Sequence, residues 1–146
     1  LLDEPWDEPT ARHKLVRRIE WNDLAGPSGA ASLVVEHAGV PVGDVILWLT
    51  NRERGVAEIG WALDPRHAGQ GFAREAAAAM LALGFEVHGL HRVVAQMDAR
   101  NTASARLAEA IGLRREAHHR QDWWSKGEWT DTLVYAMLAD DRTPRA

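Results

Sequence analysis

The chain has 146 residues, 46% of them hydrophobic and 26% charged, with a formal net charge of -4, a composition that describes one globular domain spanning 1–146. It contains no cysteine, which excludes disulfides, thiolate zinc sites and cysteine nucleophiles. Scattered arginines and an acidic balance argue against nucleic acid as a partner, and no long apolar run or signal-peptide pattern points to a membrane, so the cytoplasm is the expected location.

Residues 1–9 are acidic and carry proline, an irregular lead-in. Over 10–21, Leu15, Val16 and Ile19 stand at helical spacing and predict a first helix. Gly26-Pro27-Ser28-Gly29 breaks the chain, after which 32–36 and 45–49 read as the strands of a hairpin turning through Gly39 to Gly43. A turn at 51–55 leads into a third strand over 56–63, which makes an antiparallel meander stopped by Asp64-Pro65. An Ala-rich helix follows over 72–87, closed by Gly89, and then a strand over 92–97. A helix between two strands implies a right-handed crossover and parallel pairing. Residues 102–111 predict another helix, capped by Asn101 and closed by Gly112, and 113–119 and 130–138 predict two last strands around a turn at Lys126-Gly127. The tail from Asp140 onward is polar and expected to be loose.

Between the third strand and the Ala-rich helix stands Arg66-His67-Ala68-Gly69-Gln70-Gly71-Phe72-Ala73. Two glycines two residues apart let the backbone approach a ligand and expose successive N–H groups where a helix begins, which favours an anion such as a cofactor phosphate. A Walker-type loop is excluded because no Lys-Ser/Thr follows Gly71, and a dinucleotide fingerprint fails because Arg74 stands where the third glycine belongs. The pattern Arg-x-x-Gly-x-Gly, entered from a strand and followed by a helix, resembles the acyl-CoA signature of the GNAT superfamily of N-acyltransferases. Asn101-Thr102-Ala103-Ser104 resembles the Asn-x-x-Ser of its RimJ/RimL-like branch. The resemblance covers roughly 32–139 and is strongest over 58–113. It implies an α/β (α+β) fold, with a mixed, mostly antiparallel twisted sheet, a central splayed parallel strand pair and helices on both faces. That fold usually opens on a strand ahead of its first helix, and the sequence offers none there.

The resemblance also implies roles. Acetyl-CoA, or another acyl-CoA, would be the co-substrate, with no metal, and an amine the acceptor: a protein N-terminus or a small amine, handled by a monomer or homodimer. The backbone of Ala62 and Leu63 would pair with the pantetheine arm, with Gly60 forming a bulge there. The N–H groups of Ala68, Gly69, Gln70, Gly71, Phe72 and Ala73 would hold the pyrophosphate, with Arg66 adding charge. Relatives often carry a second basic residue where Ala68 stands, and Arg74 or His67 could replace it. Asn101 and Ser104 would contact the arm and the thiol, with Ser104 taking the place of a missing tyrosine on that helix. An ammonium acceptor must lose a proton, since a lysine amine titrates at about 10.4, and Glu58 stands where some GNAT enzymes keep their general base. His118 and His119 are reserve bases. Trp123, Trp124 and Trp129 cluster in the last hairpin and could wall an acceptor pocket or serve packing. The residues leave a second reading open, a CoA-binding module without catalysis that serves regulation or interaction.

Overall fold

In the computed structural model, which describes residues 6–142, the first elements are helix α1 (Glu8–Arg18) and strands β1 (Asn22–Asp23), β2 (Ala30–His37), β3 (Val40–Asn51) and β4 (Val56–Leu63). Helix α2 (Phe72–Ala82), strand β5 (Arg92–Asp98), helix α3 (Thr102–Ala110) and strands β6 (Arg114–Ser125) and β7 (Glu128–Leu138) follow. The strands form one sheet in the order β1-β2-β3-β4-β5-β7-β6. Every pair is antiparallel except β4 with β5, the pair joined through α2. A parallel pair needs such a crossover to carry the chain back to the starting edge.

Strand alternation sorts the side chains into two faces. Val45, Leu47, Ala57 and Ile59 join Ala77, Met80 and Leu81 of α2 in one buried cluster, and the spacing of those helix residues is what a single apolar stripe requires. Tyr135 of β7 is buried in the same layer, and its hydroxyl donates to Glu109 Oε1 at 3.0 Å, which fastens α3 to the sheet. The opposite face carries α1, where Arg18 forms an ion pair with Asp44 of β3.

Several elements differ from their sequence expectation for visible reasons. α1 starts at Glu8 because Asp7 Oδ1 accepts from the Thr10 N–H at 2.9 Å and Pro9 suits a first turn. Its Leu15, Val16 and Ile19 do not enter the core: they are 56%, 64% and 72% exposed. The Ala-rich helix is α-helical only to Ala82 and then widens into a π turn over Leu83–Val87. Gly84 in that turn lies against Leu47 and Leu90, where a Cβ would come within 2.9 Å of Leu90 Cδ1. The last hairpin is longer than expected, and its Lys126-Gly127 loop has the two positive φ values that a two-residue hairpin turn demands. Part of the tail, and most of the lead-in where an opening strand would fall, lie outside the described residues. Within the described tail, Asp141 accepts from the Leu138 N–H and pairs with Arg114, so these residues are tied down.

One close approach sets the position of β4. A Cβ on Gly43 would lie 2.4 Å from the carbonyl oxygen of Ala62, whereas on Gly60 it would sit in ordinary contact with the Trp48 ring at 3.4 Å. Gly43→Ala is therefore expected to lower the unfolding free energy by about 2 kcal/mol through overpacking, while Gly60→Ala stays within about 1 kcal/mol of wild type. Urea denaturation of both variants checks the contrast.

Candidate active site

β4 and β5 stop pairing after Glu58 meets Val94, although β4 continues to Leu63 and β5 to Asp98. Between the parted ends lies a cavity of about 830 Å³. Ala62 and Leu63 line it from β4, and Asn101 and Ser104 from the start of α3. Ala68, Gly69, Gly71, Phe72 and Ala73 line it from the turn before α2 and that helix's first turn. Three expected site residues do not line it: Glu58, Arg66 and Gln70. The expected bulge at Gly60 does not occur, since the β3 register runs unbroken through Ile46↔Gly60 and Val45↔Trp61. Its lack of a side chain only leaves room for Trp48, and the opening arises from the loss of β5 on the other side.

The glycine turn leaves open space beside its backbone. Gly69 and Gly71 have φ of 78° and 85°, and a Cβ built on either meets nothing within 4 Å. Gly71 caps α2 with no side-chain acceptor, so the first N–H groups of that helix keep their donors for an incoming group. Arg66 is committed elsewhere: its backbone N–H donates to Asp64 Oδ1 at 2.9 Å, and its guanidinium grips the same carboxylate with Nη2 2.5 Å from Oδ2. These side-chain and backbone bonds from Arg66 hold the Asp64 carboxyl down to about 2. Arg74 and Lys126 also line the cavity, and among the described residues neither side chain has a hydrogen-bond or ion-pair partner. Arg100 lines it as well but is held by Asp98 and Glu128 at 2.7 Å each.

Glu58 points away from the α2 and α3 layer, because its neighbours Ala57 and Ile59 fill the core on that side. Gln96, two residues past Val94 on the same face of β5, donates from Nε2 to Glu58 Oε2 at 3.3 Å. Partial burial raises the Glu58 carboxyl above its ordinary value, and the Gln96 bond opposes this only in part. Asn101 caps α3, its Oδ1 accepting from the Ser104 N–H at 3.0 Å. The Ser104 side chain makes a separate bond, its Oγ accepting from Trp61 Nε1–H at 3.1 Å. His118 is paired with Asp131 at 2.7 Å on the last hairpin, and neither it nor His119 lines the cavity. Trp123, Trp124 and Trp129 stand more than half exposed near the hairpin tip, outside the lining.

Sequence reasoning missed Trp61, Gln96 and the hairpin wall of Ser125, Lys126 and Glu128. The Trp61 and Gln96 contacts cross 43 and 38 residues of chain, and the hairpin tip reaches the cavity only through the β5–β7 register. The lone pair of lysines, Lys14 and Lys126, was the one signal available for that wall.

A parted parallel pair, a glycine-capped helix end and a cavity joining them are the arrangement that the resemblance to GNAT acyltransferases implies. The acetyltransferase (GNAT) domain family matches residues 3–114, and the chain belongs to that family. It is 38% identical over 84 residues to the uncharacterized N-acetyltransferase YnaD of Bacillus subtilis (strain 168), a match covering 58% of this chain and 49% of YnaD. The chain thus spans about half the length of that relative. It is 27% identical over 134 residues to the uncharacterized N-acetyltransferase p20 of Bacillus licheniformis, covering 92% of this chain and 75% of p20. A crystal structure of a GNAT-family acetyltransferase from Bacillus anthracis superposes with a TM-score of 0.78 at 28% identity, over 92% of this chain and 76% of that one.

The raised Glu58 carboxyl has a defined sign. The folded state binds this proton more tightly than the unfolded chain, so the stabilisation is full below the ordinary value of 4.5 and is lost as pH rises through the raised one. Wild type is expected to lose stability against Glu58→Gln across that window. Carboxyl-detected NMR titration of Glu58, with denaturation of both proteins at matched pH, measures it.

Proposed function

We propose that the chain is an acetyl-CoA-dependent N-acetyltransferase that passes an acetyl group directly to a primary amine, a protein N-terminus or a small amine. The observation that carries this reading is the gap between β4 and β5, with the donor cavity on one face and the Glu58 carboxylate on the other. The Asn101-x-x-Ser104 pair supports the RimJ/RimL-like branch.

The residues present fit the donor. Two open positive-φ glycines leave space for a pyrophosphate against the α2 N–H groups, and Arg74 and Lys126 meet its charge from two walls. Acetyl-CoA supplies the activated acyl group. Unpaired N–H groups on the parted length of β4 stand ready for the carbonyl oxygen as it gains charge. Glu58 takes the ammonium proton of the acceptor, and its elevated carboxyl brings it closer to the amine as a proton acceptor. Ser104 stands at the positive end of α3, where it can donate to the departing sulfur. A thiol titrates at about 8.5, so thiolate is a workable leaving group without full proton transfer.

The silent CoA-binding module is favoured by one observation: the chain's single tyrosine, Tyr135, is buried and spends its hydroxyl on Glu109. Thiol release from acetyl-CoA with a panel of amines separates the two. The wild type is expected to turn over at least one amine, Glu58→Gln to lose about 10²–10³ in kcat together with the acidic limb of the pH profile, and Gly71→Ala to raise KM for acetyl-CoA about tenfold through positive-φ strain. Wild type that gains thermal stability with CoA yet releases no thiol would make the silent module the correct reading.

A further inference from the structure

Trp61 and Ser104 meet across the cavity. Strand alternation sends Trp61 from β4 toward α3, and its indole Nε1–H donates to Ser104 Oγ at 3.1 Å, partly buried. Both residues line the cavity. Among the described residues this is the one side-chain hydrogen bond joining β4 to α3. The backbone of Ser104 is fixed independently, its N–H donating to the Asn101 cap.

A serine hydroxyl has one proton to give and lone pairs to receive. In a helix that proton usually goes back to a carbonyl three or four residues earlier, but here Ser104 Oγ donates to no protein acceptor among the described residues. With the indole holding the oxygen from the β4 side, the proton is left for the cavity. We infer that Trp61 is a positioning residue: its indole N–H fixes the Ser104 hydroxyl as a hydrogen-bond donor aimed at the sulfur that leaves during acyl transfer. This rests on the acetyltransferase reading above. In the step concerned the acceptor nitrogen bonds to the acyl carbon and the carbon–sulfur bond breaks. The amine proton passes to Glu58 and on to solvent, and the sulfur leaves as a thiolate that accepts from Ser104 and is later protonated by solvent.

The test compares Trp61→Phe, Ser104→Ala and the double variant by acetyl-CoA turnover with an amine the wild type accepts, and by the indole N–H resonances of the unloaded proteins. Phenylalanine keeps the aromatic packing and removes the donor. Each single variant is expected to lose about five- to tenfold in kcat, with KM for acetyl-CoA moving by less than about twofold. The double variant should be no slower than Ser104→Ala alone, and Ser104→Ala should shift one indole resonance without any ligand. Losses that multiply in the double variant, an unchanged kcat in Trp61→Phe, or a change confined to KM each overturn the positioning role. Should Trp61→Phe fail to fold, an indole spectrum unmoved by Ser104→Ala overturns the bond itself. Wild type that releases no thiol with any amine overturns the acetyltransferase reading and this inference with it, whereas turnover with unaffected variants removes only the role of Trp61.

Discussion

β4 and β5 share the register pairs Val56↔Arg92, Ala57↔Val93 and Glu58↔Val94, and then separate. A sheet that opens in its middle leaves backbone donors and acceptors without partners, and burying them unpaired is costly. Each strand is therefore held from its outer side: β3 pairs with β4 as far as Leu63, and β7 pairs with β5 as far as Asp98. The opening is confined to the inner edges, where a ligand or water can reach it. The near contact of Gly43 with the Ala62 carbonyl sets how closely β3 can hold β4 along that length.

The same opening divides the chemistry. On the helical side are the glycine turn and the starts of α2 and α3, all presenting N–H donors or hydroxyls. On the other side is one half-buried carboxylate, Glu58, held by Gln96. Local charge agrees, since Arg66 and Arg100 are neutralised by neighbouring carboxylates while Arg74 and Lys126 are left to the cavity.

Much of this was legible in the chain. The glycine spacing before an Ala-rich helix, the stop at Asp64-Pro65 and the crossover to a parallel strand rest on local signals, and they led to the family and the fold. The helical spacing of Leu15, Val16 and Ile19 marked α1 but could not tell whether anything covers that stripe, which stands exposed. The bulge at Gly60 failed for a related reason: a glycine inside a strand has several causes, and here the neighbour is the Trp48 ring. Trp61 with Ser104, and Gln96 with Glu58, depend on contacts between distant segments, which no local pattern encodes.

The clasp between Asp64 and Arg66 has a further consequence. One carboxylate receives both the backbone N–H and the guanidinium of a residue two positions on, so the turn that leads into Gly69 and Gly71 already has its shape without a ligand. Little conformational entropy then remains to be lost when an anion arrives, and occupancy requires no coupled folding of the loop. Association should behave as rigid docking, with a heat-capacity change that reflects the apolar surface covered in the cavity and not the ordering of chain.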